Sequence, residues 1–207
     1  MTYGFYAECM KKYNSACVWT WFCELFDYLV LGCVIDSTIL CVHGGLSPSL
    51  HFLDQIRVID RFKEIPHEGP MADLVWSDPV IFKQDDENSN DFSLSPRGAG
   101  YLFGKNVTTQ FLHANNLSSI CRAHQLCMEG YQVVFDGMVS TVWSAPNYCY
   151  RAGNLASVLE IDTYLEKRFN VFGACPDSLR DVPKKIEQDA APTKEKVKTD
   201  VISDYFL

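Results

Sequence analysis

Two of the five histidines follow short segments predicted to be strands, at the points where those strands would end. His43 comes after the run from Thr38 to Val42 and precedes two glycines, and His124 follows the run from Ser119 to Ala123. Imidazole nitrogens bind transition metals, and the change from strand to loop is a usual place for a ligand on a rigid scaffold. Taken alone, each histidine is more often a hydrogen-bonded core residue, so the pattern leaves metal binding and packing open.

Two other segments carry groups that could contact a phosphate. Arg97 lies between Pro96 and Gly98, an arrangement that could point its guanidinium fork at phosphate oxygens. The alternative is a surface arginine in a turn. Tyr148 and Arg151 lie in segment 144–154, which is predicted to be a structured loop after a strand. The alternative there is an ordinary aromatic-rich loop packed on the core.

The spacing of residues excludes several other chemistries. None of the nine cysteines is followed by five residues and an arginine, as a cysteine phosphatase would need. A near match to the phosphate-binding P-loop at 99–106 has Ala99 in place of its first glycine and Asn106 in place of the magnesium-binding Ser or Thr. The dinucleotide fingerprint fails at Phe103, and no HExxH zinc helix occurs.

Composition and charge narrow the class of protein further. The 207 residues suffice for one domain with a sizeable core, and the net charge of -8 argues against a nucleic-acid partner. The cysteines form no CxxC pair, which favours reduced thiols in an intracellular protein. Charged residues break up the apolar run that an N-terminal signal peptide would need. The longest uncharged apolar run, 28–35, is too short to span a membrane.

The elements that must position these residues are predicted to be helices followed by short strands. This order favours a mixed α/β domain with a mainly antiparallel region. The acidic segment 83–93 is predicted to be an exposed loop and 181–204 a flexible tail. Helices are predicted over 3–13, 16–28, 53–59 and 101–115, and strands over 38–42, 119–123, 132–135, 139–144, 156–161 and 168–172.

Five short motifs occur together in one order and carry a family resemblance. They are His-Gly-Gly-Leu-Ser-Pro at 43–48, Trp-Ser-Asp-Pro at 76–79, Ser-Pro-Arg-Gly-Ala-Gly at 95–100, Arg-Ala-His-Gln at 122–125 and Ser-Ala-Pro-Asn-Tyr-Cys at 144–149. Together they resemble the phosphoprotein phosphatase family. The stretch 65–71 and the ending Asp-Tyr-Phe-Leu resemble its type-2A-like branch, which includes the type 4, type 6 and related fungal enzymes. The resemblance runs from Tyr3 to about Phe172 and resumes at the last four residues.

The resemblance implies a fold and an activity. Residues 1–172 would form the C-terminal part of the metallophosphatase β-sandwich flanked by helices, an α/β fold of the α+β type, and 173–207 a flexible tail. The family hydrolyses phosphoserine and phosphothreonine with a water activated by two divalent metal ions, usually manganese, iron or zinc. Its partners would be phosphoprotein substrates and regulatory or scaffold subunits, without nucleic acid or membrane, in the cytoplasm and also the nucleus.

The resemblance also assigns roles to particular residues. His43 and His124 would bind one metal, and Arg97 and Tyr148 would act on the phosphate as catalytic residues. Residues 149–151 would lie on a loop that toxin inhibitors of the family contact. The carboxylate of Leu207 would be methylated. The substrate groove would also include Tyr6, His67, Trp76 and Arg151.

Three family motifs expected upstream are absent from the sequence: Gly-Asp-x-His-Gly, Gly-Asp-x-Val-Asp-Arg-Gly and Gly-Asn-His-Glu. They would supply the remaining metal ligands and the general acid, so we expect the isolated chain to have little or no phosphatase activity. It would be either a fragment of a complete phosphatase or a non-catalytic protein that binds phosphatase regulatory subunits. Ala152, where the nearest type-2A enzymes have cysteine, and the acidic segment 83–93 indicate a divergent member.

Overall fold

The computed structural model describes residues 4–80 and 91–179. Contacts divide the chain into two compact units. The first comprises Met1–His124 with Val134–Val139, and the second comprises Gln125–Val133 with Ser140–Leu207. Among the described residues, no helix is both long and apolar enough to cross a membrane.

The first unit begins with a helical hairpin. Helices α1 (Phe5–Tyr13) and α2 (Cys17–Tyr28) are separated by Asn14, whose left-handed backbone ends α1 while its N–H bonds back to Met10. Such a left-handed residue is a common helix terminator. Aromatic rings join the two helices, with the centroids of Phe5 and Phe22 5.3 Å apart. The hairpin therefore depends on apolar packing between its helices.

The strands of the first unit bring two distant segments side by side. Strand β1 (Gly32–Ile35) pairs antiparallel with β2 (Ile39–Val42), and β2 pairs parallel with β6 (Ser119–Arg122). The inward side chains of β2 and β6 join one hydrophobic core. Because β2 and β6 are parallel, the residues that follow them meet at the same edge.

The remaining elements of the first unit pack around this core or extend it. Helices α3 (Leu53–Arg57), α4 (Pro70–Trp76) and α5 (Lys105–Ala114) are short. A small sheet pairs β5 (Tyr101–Phe103) with β3 (Asp78–Pro79) in parallel and with β4 (Ser93–Leu94) antiparallel. The core side chains are Leu40, Val42, Leu46, Leu50, Leu74, Phe103, Phe111, Leu112, Leu117, Ile120 and Val139.

The second unit is built from the later strands. Strand β9 (Leu155–Ile161) pairs antiparallel with β10 (Lys167–Phe172) and parallel with β7 (Glu129–Val134). Strand β8 (Val139–Val142) has its first residue in the first unit and the others in the second. A short 3-10 turn, Tyr148–Tyr150, lies on the connection before β9, and another, Asp177–Leu179, follows β10.

The mixed α/β class is confirmed, and several details differ from the sequence predictions. The helix predicted over 101–115 is wrong at its start, because Tyr101–Phe103 form β5 and the helix begins at Lys105. Phe103 is fully buried, and its carbonyl accepts a hydrogen bond from Val80, so tertiary pairing outweighs helical periodicity there. Among the later strands, β9 pairs antiparallel with β10 over six residue pairs, and it also pairs parallel with β7 over two.

Other predicted features lie partly or wholly outside the described residues. Of the predicted acidic loop at 83–93, residues 83–90 lie outside them, and Ser93 belongs to β4. Most of the predicted tail, 180–207, also lies outside them, including the terminal Leu207. Strand β1 and helix α4 were not predicted. Helix α4 begins with Pro70 after Gly69, whose φ of 96° only glycine adopts readily.

Candidate functional site

The two histidines singled out in the sequence lie next to each other. Strands β2 and β6 end side by side, and the N–H of Ala123 donates to the carbonyl of His43 over 3.0 Å. The ring centroids of His43 and His124 are 5.1 Å apart, with the planes inclined at 59°. A parallel strand pair thus brings together two imidazoles that are far apart in the sequence.

His124 has an unusual environment for a core histidine. Its backbone has a φ of 61°, a left-handed conformation uncommon outside glycine. Its Nε2 atom is buried and has no hydrogen-bond partner, while the ring of Trp76 packs edge-on at 5.4 Å. Buried polar atoms are normally satisfied, so an orphaned imidazole nitrogen is consistent with a missing ligand. At its Nε2 atom, His124 is therefore not the hydrogen-bonded core histidine that the sequence left as an alternative.

Burial lowers the pKa of both imidazoles, which favours their neutral form. It lowers the pKa of His124 to about 4. The charge of Asp78 opposes this shift, and the charges of Arg97, Arg122 and His43 add to it. Partial desolvation, followed by the charge of Arg122, also lowers the pKa of His43, although much of that side chain is exposed. A neutral imidazole is the form that binds a metal.

A buried carboxylate beside the histidines holds two arginines. Asp78 Oδ1 accepts from Arg122 Nη2 and Asp78 Oδ2 accepts from Arg97 Nε, each over 2.6 Å. Arg122 is fully buried and also donates to the carbonyls of Gly44 and Ser77, over 2.6 and 3.0 Å. The side chain of Arg97 is 18% exposed, so it is not the surface arginine that the sequence left as an alternative.

Two glycines make this close packing possible. A Cβ on Gly44 would lie 2.5 Å from the backbone carbon of Val75, and one on Gly100 would lie 2.7 Å from the nitrogen of Ser77. Such distances leave no room for a side chain. The N–H of Gly44 instead donates to the carbonyl of Leu74 over 2.8 Å. The backbone therefore approaches α4 closely just after β2.

The loop with Tyr148 belongs to the second unit and has its own set of contacts. The ring of Tyr148 packs edge-on against Trp143 at 4.9 Å. Its N–H donates to the side chain of the buried Asn154, whose amide donates in turn to the carbonyls of Ala145 and Leu155. Arg151 on the same loop is exposed. The predicted structured loop is therefore present.

The other predicted site residues are placed by different contacts. Tyr6 packs edge-on against Trp19 within the helical hairpin, and His67 is exposed on the connection before α4. Trp76, another predicted groove residue, contacts the ring of His124. Leu207 lies outside the described residues.

Sequence reasoning gave no role to Asp78 or Arg122. A signal was present, since Arg122 is a charged residue at the end of the otherwise apolar Ser-Ile-Cys strand. A charge on a buried strand requires a partner of opposite charge. The sequence did not reveal that the partner would be the aspartate of Trp-Ser-Asp-Pro.

The histidine pair offers nitrogen atoms that could bind a metal ion. Nε2 of His124 and the adjacent His43 are suited to two nitrogen ligands. Within 4–80 and 91–179, however, no three His, Cys, Asp or Glu side chains are grouped so that they could hold a metal ion. The pair therefore fits a metal ion as two of the ligands that it would need.

Comparisons with known proteins identify the family. The model of the calcineurin-like phosphoesterase family matches residues 4–128, more than half of the chain. A protein of Schizosaccharomyces pombe named as a serine/threonine-protein phosphatase is 61% identical over 176 residues, which cover 85% of this chain and 55% of that protein. The PP2A-like serine/threonine-protein phosphatase PPG1 of Saccharomyces cerevisiae is 55% identical over 183 residues, which cover 86% of this chain and 50% of that protein.

A solved structure supports the same fold. It is a protein serine/threonine phosphatase from Saccharomyces cerevisiae, described as similar to human phosphatase PP5. It superposes with a TM-score of 0.73 at 34% identity and covers 84% of this chain and 57% of its own. The chain spans about half the length of the curated relatives it matches.

Proposed function

The chain belongs to the calcineurin-like phosphoesterase family, and on that basis we propose that its site serves a serine/threonine protein phosphatase. The proposed reaction is hydrolysis of phosphoserine and phosphothreonine in proteins. The observation that carries the proposal is the buried, unpartnered Nε2 of His124 beside His43. The names of the two curated relatives support the substrate class.

The roles of the chain's own residues follow from their contacts. His43 and His124 would hold one divalent cation through neutral imidazole nitrogens, in agreement with their lowered pKa values. Arg97 would bind phosphoryl oxygens, and Asp78 fixes it through Nε. When bound, two divalent cations would lower the pKa of an attacking water and neutralise charge on the phosphate. Tyr148 would contact the phosphate from its loop.

We expect this chain on its own to show little or no turnover. Two imidazoles are too few ligands for a dinuclear centre, because such metals take four to six ligands each, often with bridging carboxylates. Within the described residues, no three His, Cys, Asp or Glu side chains are grouped so that they could hold a metal ion. The three absent motifs carry the aspartates, histidine and asparagine that would complete the site in the family it resembles.

The test joins this chain to a segment from a relative that carries the three absent motifs. We expect the joined protein to hydrolyse a phosphoserine peptide when manganese is supplied, and the chain alone not to. In the joined protein, His124→Ala and Arg97→Ala should each lower activity by at least about tenfold. That is the loss expected when one charge-assisted contact is removed. His113→Ala, on the exposed side of α5, should leave it unchanged.

Two results would argue against these proposals. Two metal ions bound per chain, with manganese-dependent turnover by the chain alone, would overturn the expected inactivity. A folded, metal-loaded joined protein that does not hydrolyse phosphopeptides would overturn the phosphatase assignment. Metal content is measured by elemental analysis and folding by circular dichroism.

A second candidate function is a non-catalytic one, in which the chain binds phosphatase regulatory subunits. The observation that favours it is the row of exposed apolar side chains on α2, including Trp21, Leu25 and Phe26. Methylation of Leu207 would regulate that assembly by removing a terminal charge.

The cation in the phosphatase would be manganese, iron or zinc, and the protein would act in the cytoplasm and the nucleus.

A further inference from the structure

Three cysteines form a row across three neighbouring strands of the first unit. In the antiparallel pair β1–β2, Cys33 lies directly opposite Cys41. In the parallel pair β2–β6, Cys41 is the partner of Cys121. Cys41 is therefore the middle member, with one cysteine on each side.

The three side chains lie on one face of the sheet. Residues directly opposite each other on paired strands project to the same face. Successive residues alternate between faces, and the neighbours Leu40 and Ile120 project into the hydrophobic core. The cysteines consequently lie on the opposite face.

Strand geometry places neighbouring thiols within bonding reach. Opposed residues of an antiparallel pair have Cα atoms about 4.5 or 5.5 Å apart, and disulfides need about 4.4–6.8 Å. Opposed residues that project to the same face have Cβ atoms about 4.5–5.5 Å apart. Because Cys41 lies opposite Cys33 on one side and opposite Cys121 on the other, its sulfur is close to both of its neighbours.

Solvent access differs along the row. Cys33 is exposed, Cys41 is half-buried and Cys121 is buried. An oxidant from solvent would therefore react with Cys33 first, and the thiol nearest to the oxidised Cys33 would be that of Cys41. This order distinguishes the row from the isolated exposed Cys17, which has no such registered neighbour on its helix.

We propose that Cys33, Cys41 and Cys121 form a redox-active thiol row that closes a Cys33–Cys41 disulfide in response to hydrogen peroxide. The thiolate of Cys33 attacks the peroxide, so that its sulfur becomes a sulfenic acid and one water leaves. The sulfur of Cys41 then attacks the sulfenic sulfur, which forms the disulfide and releases a second water. In sum, two thiols and one peroxide give one disulfide and two waters.

Cys121 extends the row inward. Attack of its sulfur on Cys41 would form a Cys41–Cys121 disulfide and return Cys33 to a thiol, because thiol–disulfide exchange needs only a neighbouring thiolate. The disulfide would cross-link the strand that ends at His43 to one of its neighbours. The inference concerns thiol chemistry alone and does not depend on the proposed phosphatase activity.

The experiment uses the whole chain with Cys17, Cys149 and Cys175 changed to serine, which removes the isolated exposed thiols. The protein is treated with hydrogen peroxide, the remaining thiols are blocked, and a protease that cuts before aspartate is added. Cleavage before Asp36 separates Cys33 from Cys41, so a disulfide between them joins peptides 27–35 and 36–53. Mass spectrometry under non-reducing conditions detects the joined pair.

We expect the joined pair 27–35 with 36–53 to be the main disulfide product of the native protein. Treatment in concentrated urea should lower its yield severalfold, because the strand register is then lost. Cys41→Ser should abolish it. Cys33→Ser should shift the disulfide to Cys41–Cys121, and Cys121→Ser should leave the Cys33–Cys41 product in place.

Three outcomes would overturn the inference. One is that native protein yields no disulfide within the row. Another is that urea leaves the yield unchanged, since the register then plays no part. The last is that disulfides in the Cys41→Ser protein form to the same extent between other cysteines. Circular dichroism shows whether each variant remains folded, and the comparison of native and urea-treated protein needs no variant at these three positions.

Discussion

The strand ends that carry His43 and His124 are fixed by contacts from distant parts of the sequence, whereas the loop that carries Tyr148 is fixed by its own residues. In the first region, Arg122 bonds to Gly44, which lies 78 positions away, and to Asp78, 44 positions away. In the second, the hydrogen bonds of Asn154 reach no farther than Ala145, nine positions away. The first region therefore depends on the fold of its whole unit, and the second on one short segment.

This difference determines how costly a substitution is in each region. A non-local ion pair in a dry interior leaves a buried charge when one partner is removed. A local hydrogen bond at a loop can be replaced in part by water. We therefore expect large losses of stability in the first region and small, confined losses in the second.

The largest effect is expected for Asp78→Ala. It removes the carboxylate that pairs with the fully buried Arg122 and with Arg97. Breaking a buried ion pair by removing one partner costs about 3–5 kcal/mol of unfolding free energy. Urea unfolding followed by tryptophan fluorescence measures the loss.

The matched control is Asp54→Ala. Asp54 also pairs with an arginine at 2.6 Å, but its side chain is 83% exposed and that of Arg57 is 75% exposed. An exposed pair contributes at most about 1 kcal/mol. If the two variants lose similar amounts of unfolding free energy, the buried ion pairs of Asp78 do not stabilise the first region.

The sequence predicted the two regions unequally, for a physical reason. The motifs predicted where His43, His124 and the Tyr148 loop lie, because strand periodicity and turn residues act locally. The pairing of Asp78 with both arginines depends on three segments meeting in space, which no periodicity encodes. The same limit explains why Phe103 was assigned to a helix, since its burial against β3 decides its conformation.

The next effect concerns another long-range contact of the first region and depends on pH. Ser47 donates to the buried Asp73 over 2.6 Å, 26 positions away. Burial raises the pKa of Asp73 above its ordinary 3.8, and the bond from Ser47 partly offsets this. A raised carboxyl pKa favours the fold below the unfolded-state pKa, and that contribution is lost as pH rises through the folded-state pKa.

Ser47→Ala removes the bond that stabilises the ionised Asp73, so its pKa should rise further. At pH 7 we expect a loss of about 1.5–3 kcal/mol, the range for a hydrogen bond to a charged group. Near pH 4 the loss should be smaller, because the protonated carboxyl depends less on that bond. Ser49→Ala, at an exposed position two residues on, should show no such pH dependence in the same urea titrations.

The smallest and most confined effect is expected for Asn154→Ala in the loop. The variant loses the acceptor for the N–H of Tyr148 and both donations to backbone carbonyls. A loss of about 1–1.5 kcal/mol of local stability would speed hydrogen exchange at the Tyr148 amide by about tenfold. Asn154→Asp keeps the acceptor oxygen and should restore much of that protection.

The amides of Gly44 and Ala123 report on the first region in the same spectra, since both donate within it. If the loop is stabilised by its own residues, their exchange rates should not change in Asn154→Ala. Faster exchange at Gly44 and Ala123 would mean that the loop also supports the histidine pair. The contrast between a region held by distant contacts and one held by local contacts would then fail.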